Sequence, residues 1–597
     1  MSYIRILEFG SQTTDRIGTR FEQMGVPVKY GPSNMRAPDL TDASGVVLSG
    51  GPKGAKDPNA YPYDPEIFSI QRPILGICYG HQLGARYFGA ELHRRTKEYG
   101  ETNVDIISHD PLLDGFGNRF RGWMNHGDSI TQGDFSTLGY TEKGVPAIIR
   151  RGNFFAVQYH PEVSHTENGR LLLRNFAGEC GITTRDVGFG VDTFIKEAML
   201  KLKEDVGNNT ILAYVSGGVD STVAVMLAKQ LGLDIVPVYI ETGFGRKDEA
   251  RFAYENVSRL LGQELYVHDE SERFLAGLSG IHDSEAKRKA FQRMYNETRA
   301  RIERRFDISD TILFDGSLVT DYRESGKETG TTNAGATVDK IKTHHNSDDW
   351  EGRKIAPLSG LTKEQTRMVA RHIGLPASIS ERVPFPGPGL SVRFPTAYYE
   401  VPQELFQSAE EAALLYGMHA FVLPRKGVGL KGDSRVLEHV AVISGERDWS
   451  NIRRTSKHLI EELPICRVIY MADELHDRGM RPTDGDFNKA LNYPLTRENL
   501  DRLREVTDVM ETTTADFGVH YSQMPVFSFG GPYGWINVGR DVDSEDFRTC
   551  RPLRRPDEFP WECCDEIERR LKERLGDESG MTAFEVSDKP GGTTELE

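Results

Sequence analysis

Nowhere in the 597 residues is there a run approaching the ~18 apolar residues that a membrane-spanning helix needs. The opening MSYIRILEFGSQ is expected to form a first strand rather than a signal peptide. Cysteine is scarce as well. The six present (Cys78, Cys180, Cys466, Cys550, Cys563 and Cys564) are too few for a disulfide scaffold. Only Cys563 and Cys564 are neighbours, and no paired CxxC zinc spacing occurs. Positive charge is in deficit: 73 lysines and arginines stand against 89 aspartates and glutamates, a net −16. That balance argues against a general nucleic-acid or membrane surface. Any phosphate binding has to be local, through loops and helix N-termini. These shortages point to a protein of the reducing cytoplasm with small-molecule partners.

Glycine is plentiful, 60 in all, and it punctuates the chain. Over residues 1–185 short apolar runs (YIRILEFG, ASGVVLSGGP, RPILGICYG) end in Gly-rich turns and alternate with helical patterns such as DRIGTRFEQMG. This is the rhythm of an α/β fold with a largely parallel sheet, whose functional loops follow the strand C-termini. A charged helical connector, DTFIKEAMLKLKEDVGNN, opens a second α/β region over 186–395, which closes at the Pro-Gly cluster PFPGPGLSVRF. Residues 396–597 alternate strands and helices again, and are expected to hold two related α+β subdomains; residues 473–500 are polar and loop-like.

Cys78 in GICYGHQLGA falls between an apolar strand and a helix expected to begin at Gln82. A strand-turn-helix elbow exposes a thiol at a helix N-terminus, where the dipole favours thiolate. On residue type alone a buried structural cysteine is the commoner outcome. The context favours a nucleophile. Downstream, FFAVQYHPEVSHT offers His160 as a base and Glu162 as its orienting carboxylate, two residues apart on one face of a strand. LSGGP supplies a Gly-rich turn whose N–H groups suit an oxyanion. GICYGHQ, LSGGP and QYHPE together resemble a class I glutamine amidotransferase. The resemblance implies that Cys78 attacks the glutamine carboxamide while His160 moves the proton and Glu162 orients it. It also implies an oxyanion hole from Gly51 and Tyr79, and a glutamine pocket lined by WMNHGD, Trp123 to Asp128.

A second Gly-rich turn, AYVSGGVDSTVAV, joins an apolar strand to a helix. Ser216, Gly217, Gly218, Val219, Asp220, Ser221 and Thr222 are expected to cradle phosphate, and no GKS or GKT follows to make a Walker loop. The string resembles the PP-loop of ATP pyrophosphatases, which implies ATP as substrate, Mg²⁺ held with help from Asp220, and Lys363 in LSGLTKEQTR at the pyrophosphate.

AKRKAF, IKTHHN, RVPFPGPGLSVR, GVGLKGDSR, YSQMPV and DKPGGTTELE then occur in the order found in the GMP synthetase family, in its long form with two C-terminal subdomains. Carried over by motif, Arg288, Asp433, Gln523, Lys589 and Glu595 would hold xanthosine monophosphate (XMP). Taken alone, KRK reads as a solvated helix face. The resemblance implies an ATP-dependent C–N ligase with glutamine as amido donor, and a homodimer is one arrangement it allows. The terminal SDKPGGTTELE is expected to be ordered on nucleotide rather than loose. Several letters depart from the family pattern: Glu8 for aspartate in the opening motif, ETG (Glu241 to Gly243) for DNG, Thr320 for proline, and Gly591 and Leu596 in the tail. These departures leave a second reading open, a divergent paralogue that aminates another purine-like nucleotide.

Overall fold

The computed structural model describes residues 2–94, 96–307, 309–314, 316, 352–385, 388–432, 434–471, 493–531, 534–545 and 549–588. Among the described residues three large sheets follow one another along the chain, beside two that have only two strands each.

The first sheet has nine strands. Five are parallel and adjacent, in the order Val28–Pro32, Ile4–Glu8, Gly45–Leu48, Ile74–Ile77 and Phe154–Val157. Four antiparallel strands extend it: Pro146–Arg151, Ser136–Thr141, Glu98–Ile106 and Arg119–His126. The central strands Gly45–Leu48 and Ile74–Ile77 are buried at every position, as parallel strands covered on both faces must be. Ile17 and Phe21 of helix Thr14–Glu22 pack with Leu172 and Phe176 of helix Gly169–Glu179 on one face. Helix Tyr79–Tyr87 packs on the other through Leu83. This helix lies so close that a Cβ on Gly80 would stand 2.5 Å from the Leu48 carbonyl oxygen.

The second sheet is wholly parallel, in the order Tyr266–Asp269, Ile235–Glu241, Thr210–Tyr214, Thr311–Phe314, Lys354–Ile355. Helix Val219–Gln230 buries Val223 and Leu227 against it. Fold class is therefore α/β in the first two regions, as the glycine-ended apolar runs imply.

The third sheet shows what the two expected subdomains become. Helix Gln403–Leu414, the hairpin Met418–Lys431 and Ser434–Gly445, helix Trp449–Glu462 and strand Ile465–Met471 form one unit. Helix Arg497–Asp516, the hairpin Val526–Gly531 and Gly534–Gly539, helix Trp561–Leu575 and strand Met581–Glu585 repeat it. The units share one six-stranded sheet, because Ile465–Met471 pairs antiparallel with Met581–Glu585. At that seam Glu585 meets Arg467 at 2.8 Å and Arg540 at 3.0 Å, all three side chains fully buried. Removing one partner of such a set leaves a buried charge uncompensated, so it discriminates strongly against other registers. Within the stretch expected to be loop-like, residues 473–492 lie outside the described residues, and helix Arg497–Asp516 begins before residue 500.

The third region also holds the first. Arg453 and Arg555 bind Glu101 at 2.8 Å each, and Lys457 donates to Thr102 at 2.8 Å. Its core takes in Phe274, Phe291 and Met294 from the second region.

Candidate active site

Strand Ile74–Ile77 ends one residue before Cys78, whose backbone takes φ 50° and ψ −96°. A positive φ is costly for a residue with a Cβ and is typical of strained functional turns. The Cys78 N–H is tied to the Val157 carbonyl at 2.9 Å, so the turn is fixed by the neighbouring strand. The helix starts directly afterwards at Tyr79, three residues earlier than expected, which brings its N-terminal dipole right up to the thiol. The thiol is not exposed: Cys78 is only 4% accessible.

His160 and Glu162 are brought to Cys78, but not by a strand. Strand Phe154–Val157 stops before them, so their facing comes from the loop and not from the pleat. His160 Nδ1 lies 2.7 Å from Glu162 Oε1, and Thr13 Oγ1 donates to the same oxygen at 2.6 Å. The His160 backbone is held by the Trp123 carbonyl at 3.0 Å and by the Thr166 hydroxyl at 2.6 Å. Burial alone would lower the His160 pKa, but the charges of Glu162 and Cys78 outweigh it and raise it well above the ordinary imidazole value. Burial pushes Glu162 up; His160 and the Thr13 hydroxyl hold it below the usual carboxylate range. His160 Nε2 is buried without a regular hydrogen bond. The Cys78 thiol points at the Asn125 carbonyl (3.7 Å) and receives the Gln158 amide (3.6 Å).

The glycines of LSGGP sit where no side chain fits. A Cβ on Gly50 would be 3.1 Å from His160 Cε1, and one on Gly51 2.4 Å from the Phe9 carbonyl oxygen. Tyr79 packs on Phe9 with ring centroids 5.4 Å apart, which sets the Tyr79 turn beside the Gly51 turn. Thr13, Gln158 and Asn125 escape a sequence reading, because each reaches its partner over 47 to 149 residues. Only Gln158 and Asn125 lie inside strings already singled out.

The second Gly-rich turn joins strand Thr210–Tyr214 to helix Val219–Gln230. Gly217 has φ 73°. The Ser221 hydroxyl accepts the Ser216 N–H at 3.2 Å, and the Thr222 hydroxyl returns to the Gly218 carbonyl at 2.7 Å, so the loop is wound tightly before any ligand arrives. Lys363, at the N-terminus of helix Lys363–His372, forms an ion pair with Asp220. Asp220 Oδ1 is buried without a partner. A lone, partly orphaned carboxylate beside a phosphate cradle fits Mg²⁺, which commonly takes one or two carboxylates and draws its other ligands from phosphates and water. No group of three or more His, Cys, Asp or Glu able to hold a metal occurs among the described residues.

Of the acceptor residues, Arg288 and Gln523 are described. KRK is solvated only at Lys289: Lys287 is fully buried and donates to the Phe394 carbonyl at 2.8 Å, and Arg288 is 4% accessible. Gln523 donates to the Pro384 carbonyl at 3.4 Å, next to the Pro-Gly cluster. Gln523 thus abuts the RVPFPGPGLSVR segment, and Lys287, the neighbour of Arg288, reaches Phe394 directly after it. Asp433, Lys589 and Glu595 lie outside the described residues, as do IKTHHN and the tail from residue 589. Glu8 is buried at the end of its strand.

The family model for class I glutamine amidotransferases matches residues 5–180. A probable glutamine-hydrolysing GMP synthase of Leptospira interrogans is 30% identical over 632 residues, covering 100% of this chain and 99% of its own. The glutamine-hydrolysing GMP synthase of Carboxydothermus hydrogenoformans is 34% identical over 79% of this chain and 97% of its own. That of Aeropyrum pernix is 32% identical over 78% and 96%. Similarity that runs end to end, over the Cys78 turn and the SGGVDST turn in one chain, places this protein in the glutamine-hydrolysing GMP synthase family.

Proposed function

We propose that the chain makes GMP from XMP, ATP and glutamine in three regions: a glutaminase over 1–185, an ATP pyrophosphatase over 186–395 and an acceptor-binding region over 396–597. Cys78 attacks the glutamine carboxamide carbon, with His160 taking the thiol proton and Glu162 balancing the imidazolium. The N–H groups of Gly51 and Tyr79 receive the developing oxyanion. His160 returns the proton to the leaving ammonia, and water then hydrolyses the thioester to glutamate.

In the second region the loop Ser216–Thr222 cradles the ATP phosphates, with Lys363 turned from Asp220 to the pyrophosphate as it leaves. Mg²⁺ on Asp220 would neutralise charge on the phosphates. The O2 oxygen of XMP attacks the α-phosphorus, releasing pyrophosphate; ammonia then adds at C2 and AMP departs with the oxygen. Arg288, Asp433, Gln523, Lys589 and Glu595 are assigned to XMP. The partners are these small molecules, with no nucleic acid or membrane, and the protein belongs in the cytoplasm. No helix of the described residues is long and apolar enough to cross a membrane.

The observation that carries this reading is the end-to-end similarity to a glutamine-hydrolysing GMP synthase, together with the Cys78 turn facing the His160–Glu162 pair. The test is incubation with ATP, Mg²⁺, ammonium and XMP. Stoichiometric AMP, pyrophosphate and GMP are expected, and Asp220→Ala should abolish all three while glutamate release from glutamine persists. No GMP from XMP, with turnover of another purine nucleotide, would contradict it.

A further inference from the structure

The hairpin Met418–Lys431 and Ser434–Gly445 is far longer than its sheet needs, and its far end leaves the third region altogether. Lys431 pairs with Ser434, and Gly432 follows Lys431 at the tip. Gly432 has φ 60°, the left-handed conformation that a tight hairpin turn demands of its first residue. This tip ends on the glutaminase. The Gly432 N–H donates to Asn125 Oδ1 at 2.9 Å, and the Ser434 hydroxyl donates to the Pro52 carbonyl at 2.8 Å. Asn125 supplies the carbonyl that faces the Cys78 thiol, and Pro52 ends the LSGGP turn. The two hydrogen bonds thus grip the two loops that flank the nucleophile, from a segment more than 300 residues away.

A second contact reaches the same site independently. Arg20 Nε donates to the Glu162 carbonyl at 3.0 Å, and Arg20 and Arg16 both pair with Glu545 of the third region.

We propose that the tip of this hairpin is a wall of the glutamine pocket, and that Gly432 and Ser434 are positioning residues for the glutaminase. The inference rests on the glutaminase reading of Cys78. A backbone N–H can only donate, so the Asn125 amide oxygen accepts it, which pins the loop that sets the Asn125 carbonyl opposite the Cys78 thiol. Ser434, bonded to Pro52, holds the LSGGP turn at a set distance from that loop. Glutamine affinity is thereby tied to the placing of a hairpin of the third region, through two hydrogen bonds.

The test measures glutamate release by the full chain at varied glutamine. Loss of one hydrogen bond worth about 1 kcal/mol corresponds to roughly a fivefold change, so Ser434→Ala should raise KM for glutamine about fivefold and move kcat far less. Ser434→Thr, which keeps the hydroxyl, should restore it. Gly432→Val, hostile to φ 60°, should raise KM further, and most of that increase should vanish in an Asn125→Ala background, where there is no side-chain oxygen left to hold. Alkylation of Cys78 by a diazoketone analogue of glutamine should slow in parallel with KM, whereas alkylation by iodoacetamide should not. With an active wild type, an unchanged KM in Ser434→Ala and Gly432→Val overturns the hairpin's role alone. Strict additivity of Gly432→Val with Asn125→Ala does the same. A wild type that releases no glutamate, with or without XMP and ATP, overturns the glutaminase reading and this inference together.

Discussion

At the scale of single residues, the proposed glutaminase site rests on charges kept apart from water. His160 and Glu162 are 3% and 0% accessible, and each holds the other in its ionised form against the effect of burial. The His160 value is raised on folding, so its contribution is complete below the unfolded imidazole value of about 6.5 and is lost as pH rises through the folded value. Glu162 is depressed on folding, so its contribution is present above the unfolded carboxylate value of about 4.3 and is lost as pH falls through the folded value. The pair supports the fold most fully between those two unfolded values. Glu162→Gln should therefore destabilise the first region most in that window and progressively less toward alkaline pH, as read from urea midpoints. A cost that stays flat with pH would contradict charge pairing. Cys78, His160 and Glu162 were legible as a set because each lies in a short, distinctive string. Thr13 was not: it touches Glu162 from 149 residues away, and a lone threonine before a helix carries no such message.

At the scale of elements, the strand-turn-helix units were readable from glycine placement, since a helix that leaves a buried strand at close quarters has no room for side chains. Gly80 shows the reason: its missing Cβ would lie 2.5 Å from backbone that cannot move without disturbing the sheet. Gly80→Ala should cost about 1–3 kcal/mol, the usual range for overpacking, and should lower glutaminase turnover by displacing the Tyr79 turn. Ammonia-supported synthesis should survive, and wild-type glutaminase in this variant would contradict the close packing. Two expectations failed for local reasons. The helix after Cys78 starts at Tyr79 and not Gln82, because a positive φ at Cys78 turns the chain in a single residue. His160 and Glu162 face each other from a loop, since the strand behind them ends at Val157. Gln158, Tyr159 and His160 after it are as buried as the strand itself, so nothing in the local pattern marks where it ends.

At the scale of the molecule, three sheets are joined by contacts that no local pattern announces. The doubled order of helix, hairpin, helix and strand could be suspected from sequence, yet its fusion into one sheet depends on the buried Arg467, Arg540 and Glu585 meeting from distant segments. Lys589 and Glu595, assigned to the acceptor, follow the last of those strands, so removal of residues 589–597 should abolish synthesis from either nitrogen donor and leave glutamate release in place. Synthesis that survives the truncation would take the tail out of the acceptor site. The central claim is that nitrogen freed at Cys78 ends on the purine, and amide-labelled ¹⁵N-glutamine tests it most directly. With ATP, Mg²⁺ and XMP the wild type should yield GMP carrying ¹⁵N on its 2-amino group, while Cys78→Ala should yield none from glutamine yet still make GMP from ammonium. Glutamate without labelled GMP, or labelled GMP from Cys78→Ala, would contradict the account.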